Sequence, residues 1–186
     1  MGTEVEKKYR LTREQQAGLL ARLRESGAVF ACEEFEENTL YAGGSLDFSR
    51  QALRLRRVGG RAVLTFKERF PSQSAVKRHL EDETGVEDPE ALSEILDALG
   101  YRPALVYEKR RATWRLGGAE VVVDELPFGL FVEIEGEEDS IIEVERVLGL
   151  VDAEGEMATY PELARRHGKG RGDLIEARFP KTLPEI

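Results

Sequence analysis

Ala52-Leu53-Arg54-Leu55-Arg56-Arg57-Val58-Gly59-Gly60-Arg61-Ala62-Val63-Leu64-Thr65-Phe66-Lys67 reads as two strands folded back on one another. Gly59-Gly60 between two alternating runs is a strong hairpin signal, because the tight turn needs positive φ angles that glycine adopts without strain. In a strand, residues two apart share a face and lie roughly 6.6–6.8 Å apart. The first run therefore sets Arg54 and Arg56 against Leu53 and Leu55, and the second sets Thr65 and Lys67 against Leu64 and Phe66. One face is apolar and needs cover. The other is cationic.

The same alternation recurs on both sides of the hairpin. Glu4 to Leu11 places Glu4, Glu6 and Lys8 opposite Val5 and Tyr9. Further strands are expected over Phe35 to Ala42, Lys77 to Thr84 (with Glu81 and Glu83 on one face), Leu105 to Leu116 (Lys109 and Arg111 against Ala112, Trp114 and Leu116), Glu120 to Glu125 (Asp124 against Val121 and Val123) and Leu130 to Gly136 (Glu133 and Glu135 against Val132 and Ile134). Between them lie helix signals. Thr12-Arg13-Glu14-Gln15 has the form of a capping box, followed by Leu19, Leu20 and Leu23 and the stop residue Gly27. Asp88-Pro89 starts a second helix with Leu92, Ile95, Leu96 and Leu99 on one face. Asp139 to Leu148 forms another, a shorter one starts near Thr159, and a short helical piece is expected near Asp47 to Gln51. Pro71 to Ala75 reads as a mobile loop, and after Gly168 the pattern fades into a basic tail, expected to be flexible.

Eight short strands joined largely by hairpins favour a closed antiparallel β-barrel, since closure removes exposed edges, with the helices packed outside it. The class expected is α+β, as one domain over residues 1–186 with a core of about 3–165 and a tail of 168–186. A polar strand face is by itself compatible with a solvated sheet. A solvated face usually mixes signs, however, because like charges side by side are unfavourable. Here Arg54/Arg56 and Lys109/Arg111 are purely cationic, whereas Glu4/Glu6, Glu81/Glu83 and Glu133/Glu135 are purely anionic. Carboxylate clusters are the hard oxygen ligands that Mg²⁺ or Mn²⁺ uses. Clustered guanidinium and ammonium groups are what a polyphosphate needs. The two together describe a metal–triphosphate site.

Composition narrows the alternatives. With 41% hydrophobic and 34% charged residues the 186-residue chain has the balance of a globular protein. Its net charge of −9 disfavours general binding to nucleic acid or anionic membranes. No apolar run approaches a membrane span and no signal peptide is visible, so a cytoplasmic location is expected. Cys32 is the only cysteine, and with His79 and His167 beside it a zinc site or Cys/His nucleophile is hard to assemble. Gly168-Lys169-Gly170-Arg171-Gly172 lacks the spacing of a P-loop. Trp114 is expected in the core and His167 on the surface. A homodimer is compatible with the sequence.

Glu4-Val5-Glu6-Lys7-Lys8 resembles the Glu-x-Glu-x-Lys signature of the CYTH superfamily, the triphosphate tunnel metalloenzymes. The resemblance extends in order through Leu53-Arg54-Leu55-Arg56, Thr65-Phe66-Lys67, Glu81-x-Glu83, Glu108-Lys109-Arg110-Arg111, Val123-Asp124-Glu125-Leu126 and Phe131-Val132-Glu133-Ile134-Glu135-Gly136. It ends on Thr159-Tyr160-Pro161-Glu162-Leu163, similar to a Ser-Tyr segment of the family. It implies an eight-stranded tunnel holding a triphosphate and one or two divalent metals, Mg²⁺ or Mn²⁺. Glu4, Glu6, Glu133 and Glu135, with Glu81, Glu83 and Asp124, would bind metal. Lys8, Arg54, Arg56, Lys67, Lys109 and Arg111 would bind the phosphates. Lys8 is the candidate for orienting water or the leaving group, with Glu135 beside it in the catalytic set. Two positions depart from the pattern: His79 stands where many members have arginine, and Thr159 where they have serine. The activities implied are hydrolysis of inorganic tripolyphosphate or an organic triphosphate such as thiamine triphosphate, or class IV adenylyl cyclase chemistry. A binder of polyphosphate or nucleotide without catalysis stays open as well.

Overall fold

A computed structural model of the chain describes residues 5–47, 49–69, 79–151 and 153–180. The elements run β1 (Val5–Leu11), α1 (Arg13–Glu25), β2 (Val29–Gly43), β3 (Gln51–Val58), β4 (Arg61–Arg69), β5 (His79–Val86), α2 (Pro89–Ala98), β6 (Tyr101–Leu116), β7 (Ala119–Leu126), β8 (Gly129–Gly136), α3 (Glu138–Leu148), α4 (Tyr160–His167), β9 (Lys169–Arg171) and β10 (Leu174–Ala177). The fold is α+β, with eight strands in the antiparallel order β1-β8-β7-β6-β2-β3-β4-β5. Among the described residues that order ends at β1 and at β5, so the closed barrel expected from the sequence is narrowed here to an eight-strand antiparallel sheet.

The hairpin at Gly59-Gly60 forms as expected: both glycines have positive φ, 53° and 76°, and Val58 lies opposite Arg61. β2 and β6 are longer than their sequence patterns suggested. The expected helical piece near Asp47 is a turn instead. There the Asp47 carboxylate accepts from the Ser49 amide at 3.0 Å and hydroxyl at 2.6 Å, a local alternative that competes with helix. The expected loop at Pro71 to Ala75 and the first residues of the fifth strand lie outside the described residues.

Backbone contacts group the chain into two compact units, Met1–Phe35 with Lys109–Thr159, and Glu36–Glu108 with Tyr160–Ile186. In the first, α1 and α3 cover the apolar faces of β1, β7 and β8. Leu19, Leu23, Val121, Val132, Ile134, Ile141, Val144 and Leu148 are all at most 1% exposed. Each such side chain contributes roughly 1.5–3 kcal/mol relative to exposure. Helix α1 starts where the sequence said: Thr12 accepts from the Gln15 amide at 3.2 Å, and Gln15 returns a bond to the Thr12 amide at 2.7 Å. Trp114 is in this core, edge-on to Phe30. In the second unit, α2 lays Leu92 and Leu96 on Tyr41, Leu55 and Ala62, and Asp88 caps it by accepting from the Ala91 amide at 2.9 Å.

The stretch after Gly168 corrects the expectation of a flexible tail as far as it is described. β9 and β10 form a small hairpin, and β10 pairs in parallel with β6 through Ile175–Leu105, Glu176–Val106 and Ala177–Tyr107. Arg178 then reaches Glu176 (2.8 Å), Glu108 (2.9 Å) and Glu37 (2.5 Å), while the Phe179 amide donates to Glu108 at 2.7 Å. Burial opposes the charge of Arg178, but these hydrogen bonds prevail and hold its pKa above the ordinary arginine value. Residues 181–186 lie outside the described residues. Ending the chain at Gly168 is expected to lower stability by about 2–3 kcal/mol, roughly 5–10 °C in melting temperature. An unchanged thermal midpoint in the shortened protein would show that this hairpin contributes nothing to the fold.

Candidate active site

Directly opposed residues of an antiparallel pair project to the same face, so the strand registers define rows. In the first unit one row is Lys8–Glu133–Val122–Thr113 and a second is Arg10–Phe131–Asp124–Arg111. Lys8, Glu133, Asp124 and Arg111 of these rows join in one network, while Arg10 turns to the Phe128 carbonyl and the Phe131 ring. Arg111 donates through Nε and Nη2 to the two oxygens of Asp124, at 2.8 and 2.6 Å, and through Nη2 to Glu133 at 2.7 Å. Lys109 lies 3.8 Å from Asp124 and Lys8 3.2 Å from Glu133. Asp124 is 0% exposed, Lys109 3% and Glu133 8%. Lys8, Lys109 and Arg111 thus meet Asp124 and Glu133 in a largely buried network.

In the second unit the rows are Leu40–Arg54–Thr65–Glu83 and Asn38–Arg56–Val63–Gly85. Arg54 donates to the Thr65 hydroxyl at 3.3 Å, Thr65 donates to Glu83 at 2.7 Å, and Arg54 lies 3.6 Å from Glu83. Arg56 donates to Asn38 at 3.3 Å and lies 3.6 Å from Glu36, and Asn38 in turn donates to Glu36 at 3.2 Å. Lys67 and Glu81 pair at 2.7 Å.

Glu36, Asn38 and Tyr107 lie beside these cations although the sequence reading does not single them out. Their signal was the same two-residue spacing: Glu36-x-Asn38 in β2, and Tyr107 ahead of Lys109 and Arg111 in β6.

The CYTH domain profile matches residues 2–158, the span that carries most of these rows. The chain belongs to the CYTH family. Among relatives of this CYTH protein, the "Putative adenylate cyclase MJ0240" of Methanocaldococcus jannaschii is 28% identical over 149 residues, covering 78% of this chain and 83% of that protein. The structure of the PH1012 protein of Pyrococcus horikoshii superposes with a TM-score of 0.70 at 27% identity, covering 86% of this chain and 98% of that one. A likeness of fold extends to the "putative adenylyl cyclase HpAC1" of Hippeastrum, which is said to reveal a dominant triphosphatase activity. That match has TM-score 0.60 and 17% identity, covering 87% of this chain and 92% of that one.

CYTH proteins are generally metal-dependent. Among the described residues no three His, Cys, Asp or Glu side chains gather round one point. Of the carboxylates expected as ligands, Asp124 meets Arg111 through both oxygens, and Glu133 meets Arg111 through one and Lys8 through the other. A different row fits a hard cation by its chemistry. Glu6 on β1 is directly opposite Glu135 on β8, which is directly opposite Glu120 on β7. Like charges so placed repel unless compensated, and carboxylate oxygen is the donor that Mg²⁺ and Mn²⁺ prefer. Glu4 lies outside the described residues. No helix among the described residues is long and apolar enough to cross a membrane.

Tyr107 is 3% exposed, and burial, opposed by Arg54 and Arg56 and reinforced by Glu36, pushes its phenol above the ordinary value of 10.0. An acid whose folded pKa is raised keeps its proton. Its stabilising contribution is therefore complete below pH about 10 and is lost as pH rises through the raised value, by up to about 1.4 kcal/mol per pH unit. Tyr107→Phe is expected to remove one late phenolate step from an ultraviolet pH titration and to flatten the alkaline loss of stability. Identical titrations of variant and parent would contradict this placement.

Proposed function

We propose that this CYTH protein is a divalent-metal-dependent hydrolase of a triphosphate, inorganic or organic, with its eight strands closing round the substrate as the family's tunnel implies. The observation that supports the reading is the largely buried network of Lys8, Lys109 and Arg111 on Asp124 and Glu133, which gathers the ammonium and guanidinium donors that a polyphosphate needs. Arg111 and Arg56, as planar forks, suit pairs of phosphate oxygens, and Lys8, Lys67 and Lys109 act as point charges. Arg54 adds a further fork beside Thr65. Asp124 and Glu133 hold Arg111 and Lys8 in orientation before substrate arrives, so little reorganisation is needed as charge grows on the transferring phosphoryl group. Lys8 orients the attacking water or the leaving oxygen.

Glu6 and Glu135, with Glu4, would hold Mg²⁺ or Mn²⁺, and Glu81 and Glu83 would assist. The bound cation supplies charge neutralisation on the phosphate oxygens. Cyclase chemistry on ATP would draw on the same cationic rows, and the name of the archaeal relative keeps it as the second reading.

Incubation with tripolyphosphate, thiamine triphosphate and ATP, each with and without Mg²⁺ or Mn²⁺, separates the readings. Metal-dependent release of inorganic phosphate, lost in Arg56→Ala, is expected. Cyclic AMP with pyrophosphate from ATP would replace the hydrolase by the cyclase, and bound but unchanged substrate would leave only a binding protein.

A further inference from the structure

Lys8 is held by a segment that none of its charge partners explains. β1 pairs with β8 along one edge, where Tyr9 lies opposite Val132. On its other edge Tyr9 forms an isolated bridge to Gly155, and the Glu156 amide donates to the Lys8 carbonyl at 2.8 Å. Two residues on, the carbonyl of buried Ala158 accepts from Lys8 Nζ at 3.3 Å. The chain at Ala158 is itself fixed, because the Glu156 carboxylate accepts from the Ala158 amide at 2.9 Å. The segment therefore grips both the backbone and the ammonium of one lysine. On the opposite side of β1, Glu145 accepts from Lys7 Nζ at 2.8 Å and from the Tyr9 hydroxyl, which sets the strand's rotation.

We infer that Glu156 is a positioning residue for Lys8: its side chain folds Gly155–Ala158 into a latch that holds the lysine ammonium in the direction required to meet a phosphate oxygen. This rests on reading Lys8 as part of the triphosphate site. A free lysine side chain loses up to about 2 kcal/mol of rotamer entropy on being ordered, and a latch imposes that ordering before the substrate binds. Glutamine offers the same acceptor oxygen to the Ala158 amide, whereas alanine offers none.

Two measurements test this on the full chain. Acylation by an amine-reactive ester, read by mass spectrometry with half-exposed Lys7 as internal reference, is expected to rise several-fold at Lys8 in Glu156→Ala and to stay at the parent level in Glu156→Gln. Calorimetric titration with inorganic tripolyphosphate in EDTA is expected to show binding about five- to tenfold weaker in Glu156→Ala, restored in Glu156→Gln and unaffected by Met157→Ala in the same loop. In a Lys8→Ala background the Glu156→Ala effect should vanish. Unchanged Lys8 acylation in Glu156→Ala, or an effect that persists without Lys8, would overturn the latch while leaving the triphosphate site intact. Failure of the parent protein to bind tripolyphosphate both in EDTA and with Mg²⁺ or Mn²⁺ present would overturn both.

Discussion

Replacing Arg111 by alanine is expected to lower the folding stability by about 3–5 kcal/mol. The reason is the company it leaves behind. Arg111 spans both oxygens of Asp124 and one of Glu133 at 2.6–2.8 Å, and Asp124 is 0% exposed. Without the guanidinium, Asp124 loses the fork that meets both its oxygens, and Lys109 at 3.8 Å is too far to replace it with a good hydrogen bond. Arg111→Lys should recover only part of the loss, since an ammonium cannot match the two-oxygen fork. Arg111→Ala combined with Asp124→Asn should recover more, because it removes a stranded charge rather than replacing a partner. Urea unfolding of the four proteins measures this. A loss below about 1 kcal/mol in Arg111→Ala, within the range of exposed ion pairs, would mean that the network is not buried.

The second large effect concerns activity and leaves stability almost untouched. Glu6→Gln is expected to reduce metal-dependent phosphate release by about a hundredfold or more, since the lost oxygen would belong to the group that holds the cation. Glu6 is exposed and lies directly opposite Glu135, so neutralising it relieves a like-charge contact and should move stability by no more than about 0.5 kcal/mol. Added Mg²⁺ or Mn²⁺ should restore part of the rate if the defect is in metal affinity. Full activity in Glu6→Gln would remove this row from the site, and a collapse of stability would show that the residue is structural.

The contrast between Arg111 and Glu6 shows what kind of information each came from. Both were legible as candidates, because a period of two along a strand is a local property written in consecutive residues. The alternation in Leu53-Arg54-Leu55-Arg56 fixed which side chains share a face before any partner was known, and Gly59-Gly60 fixed the turn. Thr12 and Asp88 marked helix starts for the same reason, since a cap needs only its own first turn.

Partnership is different, because it depends on which distant strands become neighbours. Asp124 and Glu133 are legible as charged positions facing one side, but only the register of β6, β7 and β8 brings both Asp124 oxygens and one Glu133 oxygen to Arg111. The residues after Gly168 carry too short a pattern to announce strands, and their order comes from β6 and from the carboxylates of Glu37 and Glu108. The grip of Ala158 on Lys8 spans 150 residues of sequence. Side-chain alternation thus determined the faces of this protein. The choice of neighbours across them was left to the packing of the whole chain, where burial decides which charges must be paired.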